Sequence, residues 1–177
     1  MTISKKLIGA GATALGAIIV FIASFLKFYS LKMDGDSEKM NLKDLSKAAK
    51  DIEKSTFNPH ALLIIFAILG IIAACAVFIM PKLDKLFAIV ACASGLAVLI
   101  TIIVYGNSGA LGDVKEYAEA IGKLARAFGS DDSIKSSFGA GYVLTIIGSI
   151  IMMLGAIFTF ICDFIFPDNT PAQPAQW

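Results

Sequence analysis

The chain has 177 residues, 57% hydrophobic and only 16% charged, with a formal net charge of +1 at pH 7. Soluble domains carry about a quarter charged residues, so this composition excludes an ordinary water-soluble fold. The near-zero net charge also excludes the basic surface that nucleic acid requires, and no nucleic-acid partner is expected.

The apolar excess lies in four stretches without Asp, Glu, Lys, Arg or His: 8–26, 61–80, 86–105 and 142–162. A helix rising about 1.5 Å per residue needs roughly 20 residues to cross a hydrocarbon core, so each stretch is long enough to span. The expected fold class is an all-α integral membrane protein, a four-transmembrane-helix bundle with two extracytoplasmic amphipathic helices. Residues 1–166 form a single membrane domain, with outer loops at 27–60 and 106–140, and 167–177 form a flexible tail.

The chain opens with Lys5 and Lys6 before the first stretch. That stretch is longer than the 7–15 residues of a signal-peptide core, so it reads as a retained span. Within it Gly9, Gly16 and Ala23 recur every seven residues. Seven residues return a helix almost to the same azimuth, so these small residues form a smooth groove that permits close helix approach.

The first loop contains Asp34-Gly35-Asp36-Ser37-Glu38, whose alternating oxygens resemble the start of a calcium loop. Lys39 stands where such a loop needs Gly and Leu45 where it needs an acid, so the run reads as a solvated turn and no metal is expected. Leu42, Leu45, Ala48, Ala49 and Ile52 then form an apolar stripe behind Asn41 as cap, which predicts a helix over about 42–54. Asn58-Pro59 closes the segment, and the lone histidine, His60, reads as an interfacial anchor rather than a catalyst.

The second stretch carries the pair Gly70 and Ala74, and the third carries Ala91 and Gly95. Between them lies the tight turn Pro81-Lys82-Leu83-Asp84-Lys85. Its lysines and those of the N-terminus fall on one face of a four-span protein, and short basic connections stay inside. Both termini are therefore expected to be cytoplasmic in the plasma membrane, and both long loops external.

In the second loop Val114, Tyr117, Ile121, Leu124 and Phe128 recur at steps of three and four. Asp113 and Glu116 suit the start of a helix and Gly129 its end, predicting an amphipathic interaction helix over 113–128. Its stripe must be covered by the other loop helix, by the ends of the spans, or by another subunit or partner. In the last stretch Gly141, Gly148 and Gly155 repeat the seven-residue spacing. The first and fourth spans are therefore expected to pack through these grooves, against each other or against further copies. The tail 167–177 holds three prolines and ends in the single tryptophan, Trp177.

No ionisable residue lies within any stretch, which argues against proton relays and ion-coupled carriers. Thr13, Thr101, Thr145, Ser149 and Thr159 could line a pore, although such hydroxyls commonly bond back to helical carbonyls. Cys75, Cys92 and Cys162 also lie in the spans, too scattered for a metal site and absent from the loops that a disulfide framework would hold. No serine or cysteine has an evident base partner, so no catalytic residue and no cofactor is expected.

Four spans with a long first outer loop and a short inner turn resemble the span order of the claudin and peripheral-myelin-protein type of tetraspan. Residues 27–60, however, hold none of the Trp and paired Cys of the claudin first loop. The Lys-rich start and the Gly-containing first and last spans are similar to small bacterial four-span membrane proteins. These features together suggest a non-enzymatic membrane scaffold or assembly subunit that contacts lipid and self-associates or binds another membrane protein. An oligomeric pore subunit is the alternative.

Overall fold

The computed structural model describes residues 5–33, 36–44, 58–108 and 135–165. It is mostly helical, built on α1 (Lys5–Ala23), α2 (Pro59–Ile79), α3 (Asp84–Ser108) and α4 (Ala140–Ile165). The stretches Lys6–Ala23, Pro59–Ile79, Asp84–Gly106 and Ala140–Cys162 are each long and apolar enough to cross a membrane. The helices pack in the ring order α1, α4, α3, α2, so every adjacent pair runs antiparallel and α1 meets α4 along its length. Large apolar side chains such as Ile8, Leu15, Ile72, Ile89 and Leu154 are exposed on the outer faces. A water-soluble monomer rarely exposes so continuous an apolar surface.

The all-α expectation is corrected by a three-stranded antiparallel sheet at one end of the bundle. β1 (Lys27–Met33) lies between β2 (Asp36–Asn41) and β3 (Lys135–Phe138). The register pairs Met33 with Asp36, which leaves only Asp34 and Gly35 between the strands. Asp-Gly is a preferred two-residue hairpin connection because both positions tolerate positive φ. The segment read as a solvated turn thus continues into a strand.

α1 stops at Ala23, three residues before its apolar stretch ends, through a turn in which the Phe25 and Leu26 amides donate to the Ile22 and Ala23 carbonyls at 3.1 and 3.0 Å. Phe28 and Tyr29, which follow, are buried. The Asn58 side chain accepts from the Ala61 amide at 3.2 Å, and Pro59 occupies the first turn of α2, where its missing N–H is harmless. Asn41 likewise accepts from the Asp44 amide at 2.9 Å, and residues 42–44 begin a helical turn with Leu42 buried. The remainder of the helix expected over 42–54, all of that expected over 113–128, and the tail 167–177 lie outside the described residues.

The core is unequal along the bundle axis. Towards the sheet it contains Val20, Phe28, Tyr29, Leu42, Leu63, Val98, Ile102 and Tyr105. Towards the turn Pro81–Leu83 it narrows to Ala73, Ala91 and Ala156, flanked by Phe87 and Cys92.

Candidate packing seam and interaction surfaces

Gly9, Gly16 and Ala23 on α1 meet Gly155, Gly148 and Gly141 on α4 in antiparallel order within one chain. A Cβ on Gly16 would stand 2.5 Å from the Met152 amide nitrogen and 2.6 Å from the Gly148 carbonyl oxygen. One on Gly155 would stand 2.6 Å from the Thr13 nitrogen and 2.7 Å from the Gly9 carbonyl oxygen, and one on Gly141 3.0 Å from the Ala23 carbonyl oxygen. Backbone therefore touches backbone, a separation open only to residues without a side chain.

The residues between the seven-spaced small ones complete each row. Gly9, Thr13, Gly16, Val20 and Ala23 form one continuous buried row, and Gly141, Thr145, Gly148, Met152, Gly155, Thr159 and Cys162 form the other. The threonines stand four residues after a glycine, and Thr13, Thr145 and Thr159 donate to the carbonyls of Gly9, Gly141 and Gly155 at 3.0, 2.7 and 2.9 Å. This is the back-bonding to a helical carbonyl that the sequence already offered for these hydroxyls against pore lining. Ser94 donates to the fourth preceding carbonyl, that of Val90, at 2.9 Å, and Ser149 to the third preceding, that of Ile146, at 2.8 Å. These hydroxyls are satisfied by their own helices.

The bundle axis is filled by Met152, which is fully buried on α4. Its sulfur lies 2.5 Å from the position a Cβ would take on Gly70 of α2, the helix diagonally opposite, and its Cε lies 3.2 Å from that position on Gly95 of α3.

At the turn end the Lys6 ammonium donates to the Asp84 carboxylate at 2.6 Å, while the other Asp84 oxygen accepts from the Lys85 amide at 2.7 Å. Asp84 is buried, and this pair ties the start of α1 to the start of α3. At the sheet end Phe138 stacks on Tyr142 at 4.3 Å and lies edge-on to Tyr29 at 6.4 Å. Among the described residues, the Tyr29 and Tyr105 hydroxyls are buried without a hydrogen-bond partner. His60 is half-buried and stands edge-on to Phe25 at 5.7 Å, a packing contact.

Among the described residues no three His, Cys, Asp or Glu side chains converge on a metal-sized site. Cys75 is exposed, Cys92 half-buried and Cys162 buried, all as free thiols. The interaction-helix residues Val114, Tyr117, Ile121, Leu124 and Phe128 lie outside the described residues.

Among the described residues, apolar grooves flank α4 at the turn end. One, of about 370 Å³, runs between α3 and α4 along Ala88, Cys92, Leu96, Ala156 and Phe160. Another, of about 260 Å³, runs between α1 and α4. No protein-family model, curated protein or solved structure matches the chain.

Proposed function

We propose that the chain is a non-enzymatic, multi-pass scaffold of the plasma membrane, with both termini cytoplasmic and the sheet end facing outside. There it would present the sheet and the two outer loops to a partner protein or to other copies. The observation that carries this reading is the closed interior. Met152 fills the axis among the described residues, and the Thr13, Thr145 and Thr159 hydroxyls bond to their own helices, which supports a packing interior over a lined pathway. Interaction surface is then left at the sheet end, where Phe138 is exposed. The exposed apolar faces of the helices support lipid as the surrounding solvent.

Reconstitution tests the proposal directly. The chain in liposomes should carry no ion current, and a photo-cross-linker placed at the exposed Ser137 should give one discrete adduct, with a copy of the chain or with an identifiable membrane partner. A steady ion flux would instead favour an oligomeric pore formed between copies.

A further inference from the structure

We propose that the turn after α1 is an interfacial membrane anchor: Phe25 and Leu26 enter the boundary between acyl chains and headgroups in the leaflet at the sheet end, and so hold the sheet at the bilayer surface. This anchor presupposes the membrane reading given above. α1 has 19 residues and rises about 28 Å at roughly 1.5 Å per residue, close to the ~30 Å of a hydrocarbon core. With Lys5 and Lys6 at one boundary, its last turn reaches the other.

The backbone suits that depth. Chain that leaves a helix near hydrocarbon is costly when its N–H groups lose their partners. Here the Ser24, Phe25 and Leu26 amides donate to the Val20, Ile22 and Ala23 carbonyls at 3.0, 3.1 and 3.0 Å, and the Ser24 hydroxyl donates to the Phe21 carbonyl at 2.7 Å. The donors of the turn are therefore satisfied without water.

The side chains divide in the same sense. Ser24 and Phe28 are buried, whereas Phe25 and Leu26 keep 57% and 37% of their surface exposed. Leu15, Ile18, Ile22 and Phe25 follow at steps of three, four and three and are all exposed, so Phe25 continues the outward ridge of α1. The surface that faces lipid along the helix thus runs unbroken into the turn. Phe21 and His60 stand edge-on to the Phe25 ring at 5.3 and 5.7 Å, which orders the ring without covering it. The exposed Lys27 follows at once and begins β1, so the apolar surface stops where the sheet starts. Phe and Leu beside a basic residue are side chains of the kind that enter the boundary between headgroups and acyl chains. The Gly139 amide donates to the Phe28 carbonyl at 2.8 Å and ties this end of β1 to the start of α4, so seating the turn also fixes the height of the sheet.

Depth-dependent fluorescence quenching of the full chain tests the assignment. In a Trp177→Phe background, Phe25→Trp and, separately, Ile18→Trp each supply one reporter at an exposed position of the ridge. The chain is reconstituted in phosphatidylcholine vesicles whose acyl chains carry bromine either close to the headgroup or close to the terminal methyl. Seven residues put position 18 about 10 Å deeper along α1. The Phe25→Trp reporter should emit to the blue of tryptophan in water and lose more intensity to the shallow bromine than to the deep one. The Ile18→Trp reporter should show the reverse order. Quenching at position 18 with none at position 25 overturns the anchor alone, with red emission placing the turn in water and blue emission placing it under protein, whether a second copy or another part of the chain. Stronger loss to the deep bromine at position 25 overturns it as well, since the turn would then lie within the hydrocarbon. A reporter at position 18 that escapes both bromines defeats the membrane reading itself.

Discussion

The sulfur of Met152 on α4 lies 2.5 Å from where Gly70 of α2 would carry a Cβ, so one side chain bridges the diagonal of the bundle. Met152→Ala should empty that space and destabilise the bundle by about 2–5 kcal/mol, as buried Met-to-Ala changes do. Gly70→Leu alone should also destabilise, by about 1–3 kcal/mol, because the added side chain collides with Met152. Combined, the two changes should be less harmful than their sum, since leucine enters the vacated volume from the opposite wall. A double-mutant cycle read from unfolding in detergent checks this, and strict additivity would place the two residues apart.

The α1–α4 seam makes a different demand, because there the obstacle is backbone. Gly16→Leu or Gly148→Leu should force the helices apart and abolish the folded bundle, and no rotamer change can relieve a contact with a carbonyl oxygen 2.6 or 2.9 Å from the new Cβ. Gly11 is the internal control: it lies on the same helix, is exposed, and has nothing within 4 Å of its Cβ position. Gly11→Ala should therefore be neutral or stabilising by up to about 1 kcal/mol, the helix-propensity difference. Thermal unfolding in detergent that failed to separate Gly11 from Gly16 would contradict the seam.

How legible this was depends on the length scale of each signal. The four helices could be read because twenty uncharged residues in a row have few other uses, and the glycine rows could be read because seven residues nearly complete two turns. The sheet escaped because its strands are short and polar: Lys135–Phe138 has four residues, and Asp36–Asn41 contains both charge signs. Asp34-Gly35 was the available hairpin signal, but the competing calcium-loop pattern covers the same residues. The early end of α1 left no mark either, since Ser24, Phe25 and Leu26 are acceptable in a span and leave the helix because the chain must turn to bury Phe28 and Tyr29. Met152 could not have been singled out, because nothing in a row of apolar residues tells which one crosses the axis.

Lys6 and Asp84 join α1 to α3 across 78 residues of sequence, and the geometry is that of a charge-assisted hydrogen bond at 2.6 Å. Lys6 remains partly exposed, which limits its contribution through solvent screening. Asp84→Asn should destabilise by about 1–2 kcal/mol, consistent with losing a hydrogen bond to a charged group. Lys6→Gln should remove most of the same increment, so the double variant should be little worse than either single one. A coupling near zero in this cycle would mean that the pair is a surface contact of no energetic consequence.

The two tyrosines at the sheet end yield a prediction of opposite sign. A buried hydroxyl without a partner has given up water for nothing, a loss of about 1–3 kcal/mol, whereas the ring keeps its apolar contacts. Tyr29→Phe and Tyr105→Phe should therefore leave stability unchanged or raise it by about 1 kcal/mol, while Tyr29→Ala should be severely destabilising because its ring is buried beside Phe28 and Val20 in the core. Comparison with Tyr142→Phe, on a half-buried ring stacked against Phe138, controls for general effects of removing a phenol at this end of the bundle. Should either buried-tyrosine variant lose stability by more than about 1 kcal/mol, the missing hydroxyl has a partner in the folded protein.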